Sequence, residues 1–143
     1  MKKVLSVHII CLLFLTGCGN LGGETSENDD FTITAMELVD APENVQARIA
    51  EEVVEDGIYL LFNTENDRNM YLYIMPHSYL DVKGRIEEDS EMGATFILSC
   101  EEKSSVENEM SLYEIVISND VEIEAIQLEK NGEISYFDNI ISY

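Results

Sequence analysis

Two neighbouring runs, residues 58–62 and 70–75, are apolar at every position, and no other feature limits the fold of this chain as strongly. Successive residues of a strand point to opposite faces, so a strand apolar on both faces has to be covered on both. The polar loop Asn63-Thr64-Glu65-Asn66-Asp67-Arg68-Asn69 between the runs would return the second antiparallel to the first. Symmetric pairing then sets Tyr59 opposite Tyr73 and Leu61 opposite Tyr71, while Ile58, Leu60 and Phe62 share the other face with Met70, Leu72 and Ile74. A hairpin of this kind belongs at the centre of a sheet.

The other segments supply what would cover it. Phe31, Ile33 and Ala35 alternate along a first strand. One helix follows, for which Asp40 and Glu43 have capping-box spacing with Pro42 in the first turn, and Asp56-Gly57 is the expected stop. Its stripe of Val45, Ile49 and Val53 needs an apolar surface, and one face of the hairpin offers it. Further strands are expected at residues 79–86, 94–100, 112–118 and 121–129, with the acidic loop Glu87-Glu88-Asp89-Ser90-Glu91 between the first two. A change of apolar phase in the last of them suggests a β-bulge near Ala125. Asn131-Gly132 is a strong hairpin turn leading into a final strand over residues 134–143. The expectation is a mainly β domain over residues 31–143, a sandwich or curled antiparallel sheet of about eight strands, with one packed helix.

The first 18 residues read differently. Lys2 and Lys3 precede an apolar run, residues 4–15, broken only by Ser6 and His8 and too short to span a bilayer. It closes on Leu15-Thr16-Gly17-Cys18, which resembles the lipobox of bacterial lipoproteins. The resemblance implies diacylglycerol on the Cys18 thiol, cleavage between Gly17 and Cys18, and attachment to the extracytoplasmic face of a membrane. Residues 19–30, GNLGGETSENDD, read as a flexible tether of roughly 20 Å.

Charge and cysteine content narrow the function classes. All 29 acidic residues but only six of the eight basic ones lie beyond Cys18, a net charge of −23. Such a surface repels nucleic acid and attracts basic proteins. Cys11 falls in the leader and Cys18 carries lipid, so Cys100 stands alone and no intramolecular disulfide is expected.

Four constellations are candidate sites. Cys100 with His77 is the one thiol and imidazole combination open to a nucleophilic enzyme, but Cys100 shares the strand phase of Phe96 and Leu98 and reads as buried. Asn63, Glu65, Asp67 and Asn69 alternate as calcium ligands might, yet Arg68 stands where an EF-hand has glycine and Ile74 where it has a bidentate carboxylate. The runs Glu51-Glu52, Glu87-Glu88-Asp89, Glu101-Glu102 and Glu107-Asn108-Glu109 single out no acid–base pair and read as solvated surface. Tyr59, Tyr71 and Tyr73 would form an aromatic binding patch unless the helix covers them, and core is the favoured reading. No cofactor or metal is called for.

The order of strand, short helix and Gly57-initiated hairpin, with residues 70–75 as its second strand, is similar to the small protease-complex subunit PrcB family. Pro76-His77-Ser78-Tyr79 stands where that family has a Gly/Lys/Thr/Gly/Gly/Tyr segment, so the likeness lends no site residue. The expected function is non-enzymatic binding by an anchored envelope domain. The alternatives are an inhibitor or immunity-type protein that neutralises a cationic toxin or wall hydrolase, and an extracytoplasmic hydrolase.

Overall fold

A computed structural model of the chain describes residues 25–75, 80–91, 93–102 and 112–143. Among the described residues, ten strands and one α-helix form three layers. The larger sheet contains β1 (Thr25–Asn28), β2 (Phe31–Met36), β3 (Gly57–Phe62), β4 (Asn69–Met75), β7 (Leu112–Ile117) and β10 (Asn139–Ser142), in the order β1-β2-β7-β4-β3-β10. The smaller sheet contains β5 (Leu80–Asp89), β6 (Gly93–Glu102), β8 (Ile123–Lys130) and β9 (Glu133–Ser135), in the order β5-β6-β8-β9. Helix α1 (Glu43–Glu52) lies on the outer face of the larger sheet.

The two-sided hairpin explains the layering. β3 and β4 pair in the expected register, Tyr59↔Tyr73, Leu60↔Leu72 and Leu61↔Tyr71, and each has another strand beyond it. On one side Ile58, Leu60, Met70, Leu72 and Ile74 meet Val82, Phe96, Leu98 and Leu128 of the smaller sheet. On the other, Tyr59, Leu61 and Tyr71 meet Val45 and Ile49 of α1. Removing side chains of this size from water stabilises the fold by about 1.5–3 kcal/mol each. A close approach of the sheets is built into β5, where a Cβ on Gly84 would fall 2.8 Å from the Phe31 ring and 2.9 Å from Ile33 Cδ1.

Several expectations need correction. Thr25–Asn28, placed in the tether, is a strand paired antiparallel to β2 across the Asp29-Asp30 turn. Backbone hydrogen bonds along an open edge suffice to hold such a strand, and they leave no apolar signature in sequence. The capping box does not form: Pro42 holds the N-cap position with no side-chain cap, and Asp40 ends a single 3-10 turn, Leu38–Asp40. A residue before proline avoids helical angles, which makes Ala41 extended and pushes the helix start to Glu43. The Gln46 amide donates instead to the Ala41 carbonyl at 2.7 Å.

The helix ends at Glu52, before Asp56-Gly57. Gly57 serves another purpose, because a Cβ there would lie 2.7 Å from the Asp138 carboxylate, which accepts the Ile58 N–H at 2.7 Å. Glu87, Glu88 and Asp89 extend β5 and are not loop residues. The final segment is two strands in different sheets, and β10 runs parallel to β3, as β8 does to β6, so both sheets are mixed. The bulge is present: the β6–β8 register shifts between Ala94↔Ile123 and Thr95↔Ala125, leaving Glu124 as the extra residue. Asn131 (φ 51°) and Gly132 (φ 79°) make the predicted tight turn.

Candidate functional site

Among the described residues, the end of the sandwich that carries the loop between β3 and β4, here the lower end, is open on the side of β8 and β10. β9 accompanies only the upper part of β8, through Leu128↔Ser135 to Lys130↔Glu133. Below it a cleft of about 380 Å³ runs between the sheets. Leu60, Phe62 and Met70 form one wall, Ile123 and Ile126 the other, and Ile140 of β10 stands 63% exposed at the mouth. Asp67, Arg68 and Glu124 are the charged groups that line it, Asp67 and Glu124 at exposed positions and Arg68 half-buried.

Arg68 builds the floor. Its Nη1 donates to the carbonyls of Ser118 and Val121, the latter at 2.7 Å, and so ties the turn before β8 to the loop after β3. Val121 also borders a second concavity, whose polar lining is Asp30, Glu88, Asn119, Asp120 and Glu122. An apolar cleft and an acidic groove therefore share one loop.

The residues singled out from sequence are distributed as follows. Tyr59 and Tyr71, each 3% exposed, and half-buried Tyr73 pack beneath α1, so the aromatic patch is closed. Burial pushes the Tyr59 and Tyr71 hydroxyls above their ordinary pKa, helped by the nearby carboxylates of Glu55 and Glu114 respectively. Cys100 is buried, and desolvation raises its thiol to about 12, which keeps it protonated and unreactive near neutral pH. His77, Gly17, Cys18, Glu107, Asn108 and Glu109 lie outside the described residues.

The calcium-like loop does not converge on a point. Asn63 Oδ1 accepts the N–H groups of Glu65 and Asn66, at 2.9 and 3.2 Å, as a turn-forming side chain does. Asp67 lines the cleft, whereas Asn69 turns to the helix side and donates towards Glu114. Among the described residues no three His, Cys, Asp or Glu side chains are grouped to hold a metal ion. Glu51 and Glu52 pair with Arg48 on the helix, and Glu87 pairs with Arg85.

Arg68 and the cleft were missed from sequence. The available signal was a lone cation within a loop otherwise of acids, amides and Thr64. No family model matches this chain, and neither the curated proteins nor the solved structures contain a match to it. No helix among the described residues is long and apolar enough to cross a membrane.

Proposed function

We propose that this chain is a bacterial envelope lipoprotein, held at the extracytoplasmic face of a membrane through lipid on Cys18, whose acidic domain binds a basic envelope or secreted protein without turnover. One observation carries the binding reading: the apolar cleft opens one loop away from the groove rimmed by Asp30, Glu88, Asp120 and Glu122. Ligand sites are commonly apolar concavities with a few polar groups at the mouth. Carboxylates beside such a cleft favour and accelerate the approach of a cationic partner.

The position of the chain entry supports the same reading. Thr25 pairs with Thr34 in the upper half of the edge strand β1, while the cleft opens at the lower end of the opposite edge. Five strand spacings, about 24 Å, separate β1 from β10. A domain suspended from Cys18 would thus present its cleft away from the lipid. Binding is favoured over nucleophilic catalysis because the Cys100 thiol is sealed in the core.

The test is to immobilise the full chain in detergent and capture proteins from envelope and secreted extracts at several salt concentrations. A discrete basic protein whose retention falls as salt rises is the expected result. Capture of only acidic or neutral proteins, or of nothing at any salt, contradicts the reading. The net charge of −23 beyond Cys18 favours neutralisation of a cationic toxin or wall hydrolase as a second reading. That reading predicts that the captured protein loses activity when bound.

A further inference from the structure

The smaller sheet is left unfinished beside the cleft. β9 pairs with only three residues of β8, so over residues 123–127 β8 has no strand on that side among the described residues. Alternate residues of a strand send their N–H and C=O groups to opposite sides. Half of the backbone groups in this stretch therefore face the open edge, away from β6. The bulge at Glu124 sits at the beginning of β8 and leaves the ladder regular from Thr95↔Ala125 to Cys100↔Lys130. An edge of this kind is a template for another strand.

The same stretch is a wall of the apolar cleft. Ile123 and Ile126 line it opposite Leu60 and Phe62, with exposed Ile140 beyond them. A strand laid along β8 in line with β9 would direct every second side chain into this space and the others outward. Main-chain bonds along an edge combined with pockets for alternate side chains constitute a known mode of peptide recognition.

We propose that the lower edge of β8 and the adjoining cleft form a strand-addition site for an extended segment of a basic protein, with apolar and cationic residues in alternation. This rests on the binding function proposed above and states how the partner is held. Charge decides the occupant. Asp67 and Glu124 stand at the rim, and Arg68, the cation lining the cleft, is engaged with the Ser118 and Val121 carbonyls. Beyond Val121 lies the acidic groove, which would receive cationic side chains leaving the cleft at its lower end. A lipid acyl chain would fill the apolar space but leave the backbone edge unpaired. A second copy of this chain would bring its own net charge of −23 beyond Cys18 against these carboxylates.

The experiment titrates the full chain, in detergent, with a short acetylated peptide of alternating lysine and valine and with an isomer holding the same residues in two blocks. Amide hydrogen exchange reports on residues 123–127. The alternating peptide is expected to slow exchange there and to bind about tenfold more tightly than the block isomer. Ile140→Lys, at an exposed position, should weaken the alternating peptide by a similar factor and leave the fold intact. Equal binding of the two isomers, or binding without protection of residues 123–127, overturns the proposal. If a basic protein is still captured in a salt-dependent way while these amides stay unprotected, strand addition fails and the broader binding function stands. Concentration-dependent protection of the same amides without peptide would assign the edge to a second copy, and that too overturns the proposal.

Discussion

Cys100 shows how a single residue settles a chemical question. Its side chain packs with Phe96, Leu98 and Leu128 between the sheets, and burial holds the thiol near 12. If the chain is cleaved and lipidated at Cys18 as proposed, no thiol should react with a disulfide reagent at pH 8 under native conditions, and one should react after unfolding. A second reactive thiol after unfolding would mean that Cys18 is not alkylated. Gly84 is the residue that permits the close contact between the sheets. Because an added Cβ meets Phe31, Ile33 and Phe96 within 3.0 Å, Gly84→Ala should destabilise the fold by about 1–3 kcal/mol. The measurement is denaturant unfolding, and an unchanged midpoint would contradict the tight packing.

Three strands of the smaller sheet are joined on their outer face by one charged cluster. Arg85 of β5 grips Glu129 of β8 through two bonds of 2.6 and 2.8 Å, across Ser99 of β6, and also holds Glu87. The hydrogen bonds from Arg85 lower the Glu129 pKa from its ordinary value, with Ser99 adding to the effect. A carboxylate with a depressed folded-state pKa contributes stability above the unfolded value, ~4.3, and loses it as the pH falls through the folded value. Glu129→Gln should therefore lower the melting temperature at pH 7, and the gap to the parent should close on acidification below that range. A gap independent of pH would assign the loss to packing.

At this scale the sequence was legible wherever a signal was local. The two-sided runs gave the β3–β4 register because their partners lie one loop apart, and Asn131-Gly132 marked its turn through residues that accept positive φ. The parallel pairing of β10 with β3 was hidden because Asn139 and Tyr59 are far apart in the chain and residues 134–143 read as one continuous strand. The cleft was hidden for a related reason. Leu60, Met70, Ile117, Ile126 and Ile140 come from five different strands, and each alone has the pattern of a core residue.

At the scale of the whole molecule, the cleft of the helix-backed sandwich lies at the opposite end and opposite edge from Thr25, and the proposed function adds a lipid anchor on the N-terminal side. In the proposed function the anchor would set the location, the acidic surface would select for basic partners, and the cleft would supply apolar contact. These roles would depend on the domain being displayed from a membrane. Two or more acyl chains on one cysteine are enough for stable attachment, since each buried methylene adds about 0.8 kcal/mol. The most direct test is the intact mass of the chain isolated from the membrane fraction of bacteria that express it in full. The expected product begins at Cys18 and carries the added mass of diacylglycerol. An unmodified chain, or one cleaved elsewhere and recovered outside the membrane fraction, would contradict it.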